Sequence, residues 1–167
     1  MATTYTKIAS VSVGSGGAST ISFSSIPSTY TDLCLKVSSR ESGGAGLNFT
    51  FNGVTTGYTD TELYSSNGTS ASTYARSGNA GYWGIDNSSS TTANTFSNTE
   101  LYIVNYTSSN YKSASFDGAA ENNATAAYIV LVAELSTLSS AITSILITPS
   151  TSFVQYSTAT LYGIKNS

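Results

Sequence analysis

The segment Phe153-Val154-Gln155-Tyr156-Ser157-Thr158-Ala159-Thr160-Leu161-Tyr162-Gly163-Ile164-Lys165 decides the fold. Aromatic and β-branched residues are frequent along it, and such residues favour strands. We interpret residues 153–164 as one long strand. A chain that closes with a strand of this length is typical of an all-β protein.

Two earlier segments alternate between apolar and polar residues, which is the pattern of a half-buried strand. The first is 32–38 (DLCLKVS), and the second is 47–51 (LNFTF). The second runs into Asn52-Gly53, a dipeptide typical of tight hairpin turns, so we expect this strand to enter a β-hairpin. Cys34, in the first segment, is expected to be a small buried residue.

Other strand-like segments are separated by residues that favour turns and loops. The remaining predicted strands are 6–13, 19–23, 61–64, 100–106, 111–116, 126–135 and 142–148. The predicted turns and loops are 14–17, 42–46, Asp117-Gly118 and Pro149-Ser150. About ten short strands without a long helical pattern indicate one β-sandwich domain over residues 1–167, jelly-roll-like in architecture. The strand order stays open at this point, and an immunoglobulin-like topology is the other possibility.

Two segments depart from simple alternation. Residues 126–135 are apolar at most positions, so we expect a central strand covered on both faces, with a buried helix as the other interpretation. Residues 65–98 are crowded with Ser, Asn, Gly and Thr and are expected to form an elaborated loop region. Long loops on a rigid β-scaffold often carry recognition, so this interval is the expected contact surface. Its candidate contact residues are Tyr74, Tyr82, Trp83 and Asp86.

Hydroxyl groups, more than charges, hydrate the surface of this chain. Only 9% of the residues are charged, and the formal net charge is −3. The six Lys and Arg residues are scattered, whereas a nucleic-acid partner requires a basic patch, so we predict no nucleic-acid binding. No segment approaches membrane-spanning length, and we predict no membrane association. An apolar content of 40% indicates a folded domain.

The chain contains no histidine, which removes the commonest general base and most zinc sites. Asp60 and Glu62 would share one face of a strand, as a pair of glycosidase carboxylates requires, but we favour an exposed polar edge. Asp86-Asn87 and Asp117-Gly118 lack the spacing of a calcium loop. We predict no enzymatic activity, no cofactor and no metal site.

Tyr74, Tyr82 and Trp83 have a second interpretation as an aromatic platform for a sugar, because aromatic rings combine an apolar face with a polar edge. A single Trp in a β-sandwich is more often packed in the core or between subunits. We favour packing over glycan binding for these residues.

Several stretches carry a family resemblance through their order along the chain. They are 8–17 (IASVSVGSGG), 26–37 (IPSTYTDLCLKV), 51–53 (FNG), 61–64 (TELY), 93–96 (ANTF), 141–145 (AITSI) and 161–164 (LYGI). In this order they resemble small β-sandwich virion proteins of tailed bacteriophages, including phages of marine bacteria.

The resemblance implies a virion structural protein that is assembled in the host cytoplasm and lies on the capsid surface. The first expectation is a decoration, or cement, protein that binds the major capsid protein, as a homotrimer at threefold positions of the shell. The alternative is the receptor-binding head of a tail or fibre, which would bind a host surface glycan through the 65–98 region. No catalytic residue is implied by the resemblance.

Overall fold

The computed structural model describes residues 4–44, 46–66, 70–78, 81–121 and 127–165. This part of the chain forms twelve strands and no helix, and therefore no helix that is long and apolar enough to cross a membrane. The strands are β1 (Tyr5–Ser12), β2 (Ile21–Phe23), β3 (Asp32–Ser39), β4 (Gly46–Phe51), β5 (Tyr58–Ser65), β6 (Ser72–Gly78), β7 (Gly81–Ile85), β8 (Ser97–Ile103), β9 (Lys112–Glu121), β10 (Ala127–Ser136), β11 (Ile145–Pro149) and β12 (Thr158–Ile164).

The strands form two antiparallel sheets. The larger sheet has the order β1-β12-β3-β8-β9-β10-β5-β6, and the smaller has the order β2-β11-β4-β7. The smaller sheet together with β1-β12-β3-β8 is the interleaved strand order of a jelly roll. The strands β9, β10, β5 and β6 extend one of the two sheets beyond this framework. The predicted all-β, jelly-roll-like sandwich is confirmed. The observed strand order is that of a jelly roll and not the immunoglobulin-like alternative.

Alternate residues along the strands face inward and outward in the structure. In β9 the burial alternates residue by residue, and its inward residues join those of β3, β8 and β12 against the smaller sheet. The two sheets share one apolar core. Its largest fully buried apolar side chains are Tyr58, Tyr106, Phe49, Phe51, Phe116, Phe153, Ile21, Leu33, Leu35 and Leu47.

The predicted turn at Asn52-Gly53 is present, but it does not close a hairpin. Both residues have positive φ, 53° and 70°, and the amide of Val54 donates to the Phe51 carbonyl at 2.9 Å. These are the features of a type I′ turn. The next strand, β5, joins the other sheet, because β4 is already flanked by β11 and β7.

The prediction of one long C-terminal strand over residues 153–164 was wrong for its first half. The backbone turns at Tyr156, whose φ is 72°, and regular pairing starts only at Thr158. Phe153, which is 1% exposed, instead bridges Ala18 and Glu41. The segment before the turn therefore anchors two loops to the core, and the segment after it is the strand.

The predicted turn at Asp117-Gly118 was also wrong, because both residues lie inside β9. Gly118 pairs with Val130, and a Cβ atom at this position would lie 2.8 Å from the Phe116 ring. The glycine leaves room for an aromatic side chain. Its presence reflects packing and not a turn.

Candidate interaction surfaces

The strand predicted to be covered on both faces, now β10, is covered on one only. Val130, Val132, Glu134 and Ser136 face the core, whereas the alternate residues reach solvent. Along β10 these outward residues are all apolar. They are Ala127, Ile129, Leu131, Ala133 and Leu135.

We define the outer patch as Leu63 on β5 together with Ile129, Leu131, Ala133 and Leu135 on β10. Leu63 lies directly opposite Leu131, and these two side chains are each 44% exposed. Ile129 is 53% exposed and Leu135 is 41% exposed. A contiguous apolar patch on a sheet face, away from the core, is typical of a binding surface.

The outer patch has a charged border on one side. Successive strands place Lys36, Glu100, Asp117 and Leu131 in one outward row across the larger sheet. Lys36 and Glu100 form an ion pair at 2.8 Å, and burial with the nearby Glu100 charge raises the pKa of Asp117. By contrast, β5, β6 and β10 carry no charged outward residue. A neutral, apolar area thus adjoins a polar row.

On the opposite face of the extension, three tyrosines form a row across β6, β5 and β10. Tyr64 stacks on Tyr128 with ring centroids 6.1 Å apart, and the ring of Tyr74 lies 6.5 Å from that of Tyr64. The Arg76 guanidinium lies 5.2 Å from the centroid of the Tyr74 ring. Tyr74 is 48% exposed, so the row reaches solvent at its β6 end.

The interpretation of Asp60 and Glu62 as an exposed polar edge was wrong. They share one face, as their spacing predicts, but that face points inward, and they are 8% and 2% exposed. Arg76 on β6 donates to Asp60 Oδ1 at 2.9 Å and also to Glu62 Oε2. One guanidinium holds two buried carboxylates, an arrangement that stabilises both anions and provides no free pair for acid–base chemistry.

The expected contact residues lie on different elements of the structure. Tyr74 belongs to the tyrosine row, whereas Tyr82 and Trp83 lie on β7, where their side chains are outside the described part of the structure. Asp86 follows β7 and is 1% exposed, so it is not a surface contact residue. The side chain was misjudged because a polar residue in a Ser-rich and Asn-rich segment resembles a loop residue.

Asp86 lies in a buried polar cluster. Its Oδ1 accepts hydrogen bonds from the Ser97 hydroxyl at 2.6 Å and from the Asn87 amide at 2.7 Å. Its Oδ2 is buried and has no hydrogen-bond partner among the described residues. Burial is the main cause that raises the pKa of Asp86 to about 6, and the Glu41 charge adds to it.

The 65–98 region was predicted to be loop, but much of its described part is ordered by strands and charged side chains. It contains β6 and β7, and residues 88–95 are held from two sides. Arg40 donates to the Thr92 and Thr95 carbonyls at 2.8 and 3.1 Å. The Glu121 carboxylate accepts from the Thr92 amide at 2.5 Å. These bonds define a rigid connection between β7 and β8.

Among the described residues, no group of three or more His, Cys, Asp and Glu side chains is placed to hold a metal ion. Comparisons with protein-family models, curated proteins and solved structures find no match. The outer patch and the tyrosine row are the two candidate interaction surfaces, and of their residues only Tyr74 was predicted from the sequence to be a contact residue. The signal for the outer patch was present in 127–135, where alternate apolar residues were interpreted as a second buried face.

Proposed function

We propose that the protein is a virion structural protein without enzymatic activity, and that it decorates the capsid of a tailed bacteriophage. The outer patch is the single observation that carries this proposal. It is an apolar area on paired strands, flanked by a charged row, which suits attachment to another protein surface. Hydroxyl-rich strands with few charges suit dense packing of many copies.

The partner in this proposal is the major capsid protein, and the location is the outer surface of the shell. The sheet extension formed by β9, β10, β5 and β6 supports this arrangement, because it presents the patch on paired strands and not on loops. Such a surface needs little ordering when it binds, and this lowers the entropic cost of attachment. A homotrimer at threefold positions stays a prediction from lattice symmetry.

Reconstitution of decorated heads tests the patch directly. Expanded heads that lack this protein are mixed with the wild-type chain or with Leu131→Lys, and bound protein is measured after sedimentation. We expect Leu131→Lys to weaken binding at least about tenfold, since it places a charge at the centre of an apolar contact. Val104→Lys is the matched control, because Val104 is 41% exposed but lies outside the patch. Equal binding by wild type and Leu131→Lys would refute the role of the patch.

Copy number in purified virions tests the location. Quantitative mass spectrometry should give a large, lattice-compatible ratio of this chain to the major capsid protein. A few tens of copies would move the protein to the tail, and its absence from virions would reject the proposal.

The tyrosine row supports a second candidate function, a tail or fibre head that binds a host surface glycan. Tyr74, Tyr64 and Tyr128 provide adjacent aromatic surfaces and hydroxyl groups, a combination that suits sugar rings. Under this candidate, Tyr74→Ala should abolish binding to host cells. Tyr156→Ala is the control, because this side chain is 70% exposed and lies on a different loop. Unchanged cell binding by Tyr74→Ala would remove the candidate.

A further inference from the structure

The free edges of the two sheets differ in how well they are protected. The larger sheet ends in β1 on one side and β6 on the other, and the smaller sheet ends in β2 and β7. Proteins usually protect such edges with bulges, prolines or charges, because unpaired backbone groups can pair with another chain. The edge that lacks these devices is the candidate for association.

β1 carries such devices, whereas the described residues provide none for β6. The pairing of β1 shifts register between Lys7 and Ala9, which marks an irregularity, and Lys7 is exposed. β6 pairs with β5 without a register shift along all seven residues, and it contains no proline. The charge of Arg76, the one charged residue of β6, is compensated by Asp60 and Glu62. The other edge strands are shorter, with three residues in β2 and five in β7.

We propose that β6 pairs antiparallel with β6 of a second copy of this chain, about a twofold axis at Ala75. In this register Ala75 lies opposite Ala75 of the second copy, and Tyr74 lies opposite Arg76. The pairing therefore places the Arg76 guanidinium of each chain beside the Tyr74 ring of the other. Arg76 already contacts Tyr74 in this way within one chain. Centring the axis on Arg76 would instead place two like charges opposite each other.

The same register keeps the faces of the two sheets aligned. Thr73, Ala75 and Ser77 are the outward residues of β6, and the axis at Ala75 pairs outward residues only with outward residues. These three side chains are small, so they create no steric barrier across the junction. The two outer patches then lie on one side of a continuous sheet.

The outward face of the whole sheet extension, which contains the outer patch, gives an area argument for the pairing. Four strands about 4.8 Å apart and about 26 Å long present roughly 500 Å² of sheet face per chain. A stable interface needs about 800 Å² from each partner. One chain falls short of this area, whereas the joined four-strand faces of two chains exceed it. The pairing itself does not depend on the identity of the partner that the patch binds.

Mass measurement and position-specific cross-linking test the pairing together. By light scattering over a wide concentration range, we expect the wild-type chain to approach twice the chain mass and Ala75→Lys to stay monomeric. Ser10→Lys, an exposed position on the β1 edge, should still dimerise. A wild-type chain that remains monomeric, or forms the trimer expected from lattice symmetry, would overturn the proposal.

Cysteine variants test the register. Directly opposed residues have Cα atoms about 4.5–5.5 Å apart, which is within the range of a disulfide. Ala75→Cys should therefore cross-link with itself under mild oxidation. Ser77→Cys should not, because its two copies would be offset by about 13 Å along the strands. Cys34 is buried and gives no background. Failure of Ala75→Cys to cross-link, or equal cross-linking of Ser77→Cys, would overturn the pairing. If the Ala75→Cys chain cross-links with itself but does not bind expanded heads, the proposed function alone is refuted.

Discussion

At the scale of single residues, Asp86 is a buried carboxyl group in surroundings that disfavour its charged form. Its pKa is raised from 3.8 to about 6, so the folded protein holds this proton more tightly than the unfolded chain does. The contribution of Asp86 to stability is therefore present below about pH 4 and is lost as the pH rises through about 6.

Asp86→Asn should remove this loss, because an amide is neutral and keeps the acceptor that Ser97 and Asn87 use. We expect the variant to be more stable than wild type by about 3 kcal/mol at pH 7 and nearly equal to it at pH 4. Urea denaturation at both pH values measures the difference. A gain of equal size at pH 4 and pH 7 would show that ionisation of Asp86 is not its cause.

At the scale of elements, Arg76 joins β6 to two buried carboxylates of β5. Arg76 is 33% exposed but neutralises two carboxylates whose side chains are 6% and 3% exposed. Removing one member of a buried ionic group leaves uncompensated charge in the interior, which is more costly than losing an exposed ion pair. Stability at the β6 edge should therefore respond to Arg76 far more than to surface charges.

Arg76→Met should lower the free energy of unfolding by about 2–4 kcal/mol at pH 7, because it leaves two buried carboxylates without their cation. Lys36→Met is the matched control, since Lys36 pairs with Glu100 while 54% exposed, and its loss should cost less than about 1 kcal/mol. Urea denaturation of both variants at one protein concentration provides the comparison. Equal losses for the two variants would contradict this account.

The element scale also shows what alternation can and cannot predict. Period-two patterns located β3 and β4 well, because in both strands one face is buried in the core. In β10 the same pattern failed to separate a second buried face from an exposed apolar one, since both require apolar side chains. The outer patch was therefore not predictable from residues 126–135 alone.

At the scale of the whole molecule, Cys34 reports on the integrity of the larger sheet. It lies in β3 between β12 and β8, and it is fully buried as predicted. Burial is the main cause that raises the pKa of its thiol to about 12, so the thiolate that reacts with disulfide reagents is scarce as well as shielded. Leu33 and Leu35 face the core, so Cys34 lies on the outward face of β3 and is covered there by neighbouring side chains.

We expect this cover to be lost only when the sheet unfolds, so the thiol should react with a disulfide reagent only through global unfolding. The free energy of the opening that exposes the thiol should decrease with urea concentration. Its slope should equal that of the free energy of unfolding measured at equilibrium. The measurement is the rate of thiol release over a urea series below the unfolding transition. A smaller slope would show that β3 opens locally, and that the sheet does not unfold as one unit.

The sequence by itself determined the all-β class, the positions of most strands, the burial of Cys34 and the turn at Asn52-Gly53, since each depends on neighbouring residues and on short periodicities. Only the tertiary structure decided which strands are neighbours, because pairing joins residues far apart in the chain, such as Tyr5 and Ile164. That pairing also decided the surroundings of polar and apolar side chains. It buried Asp60, Glu62 and Asp86, exposed Leu131, and placed β6 at an edge of the larger sheet.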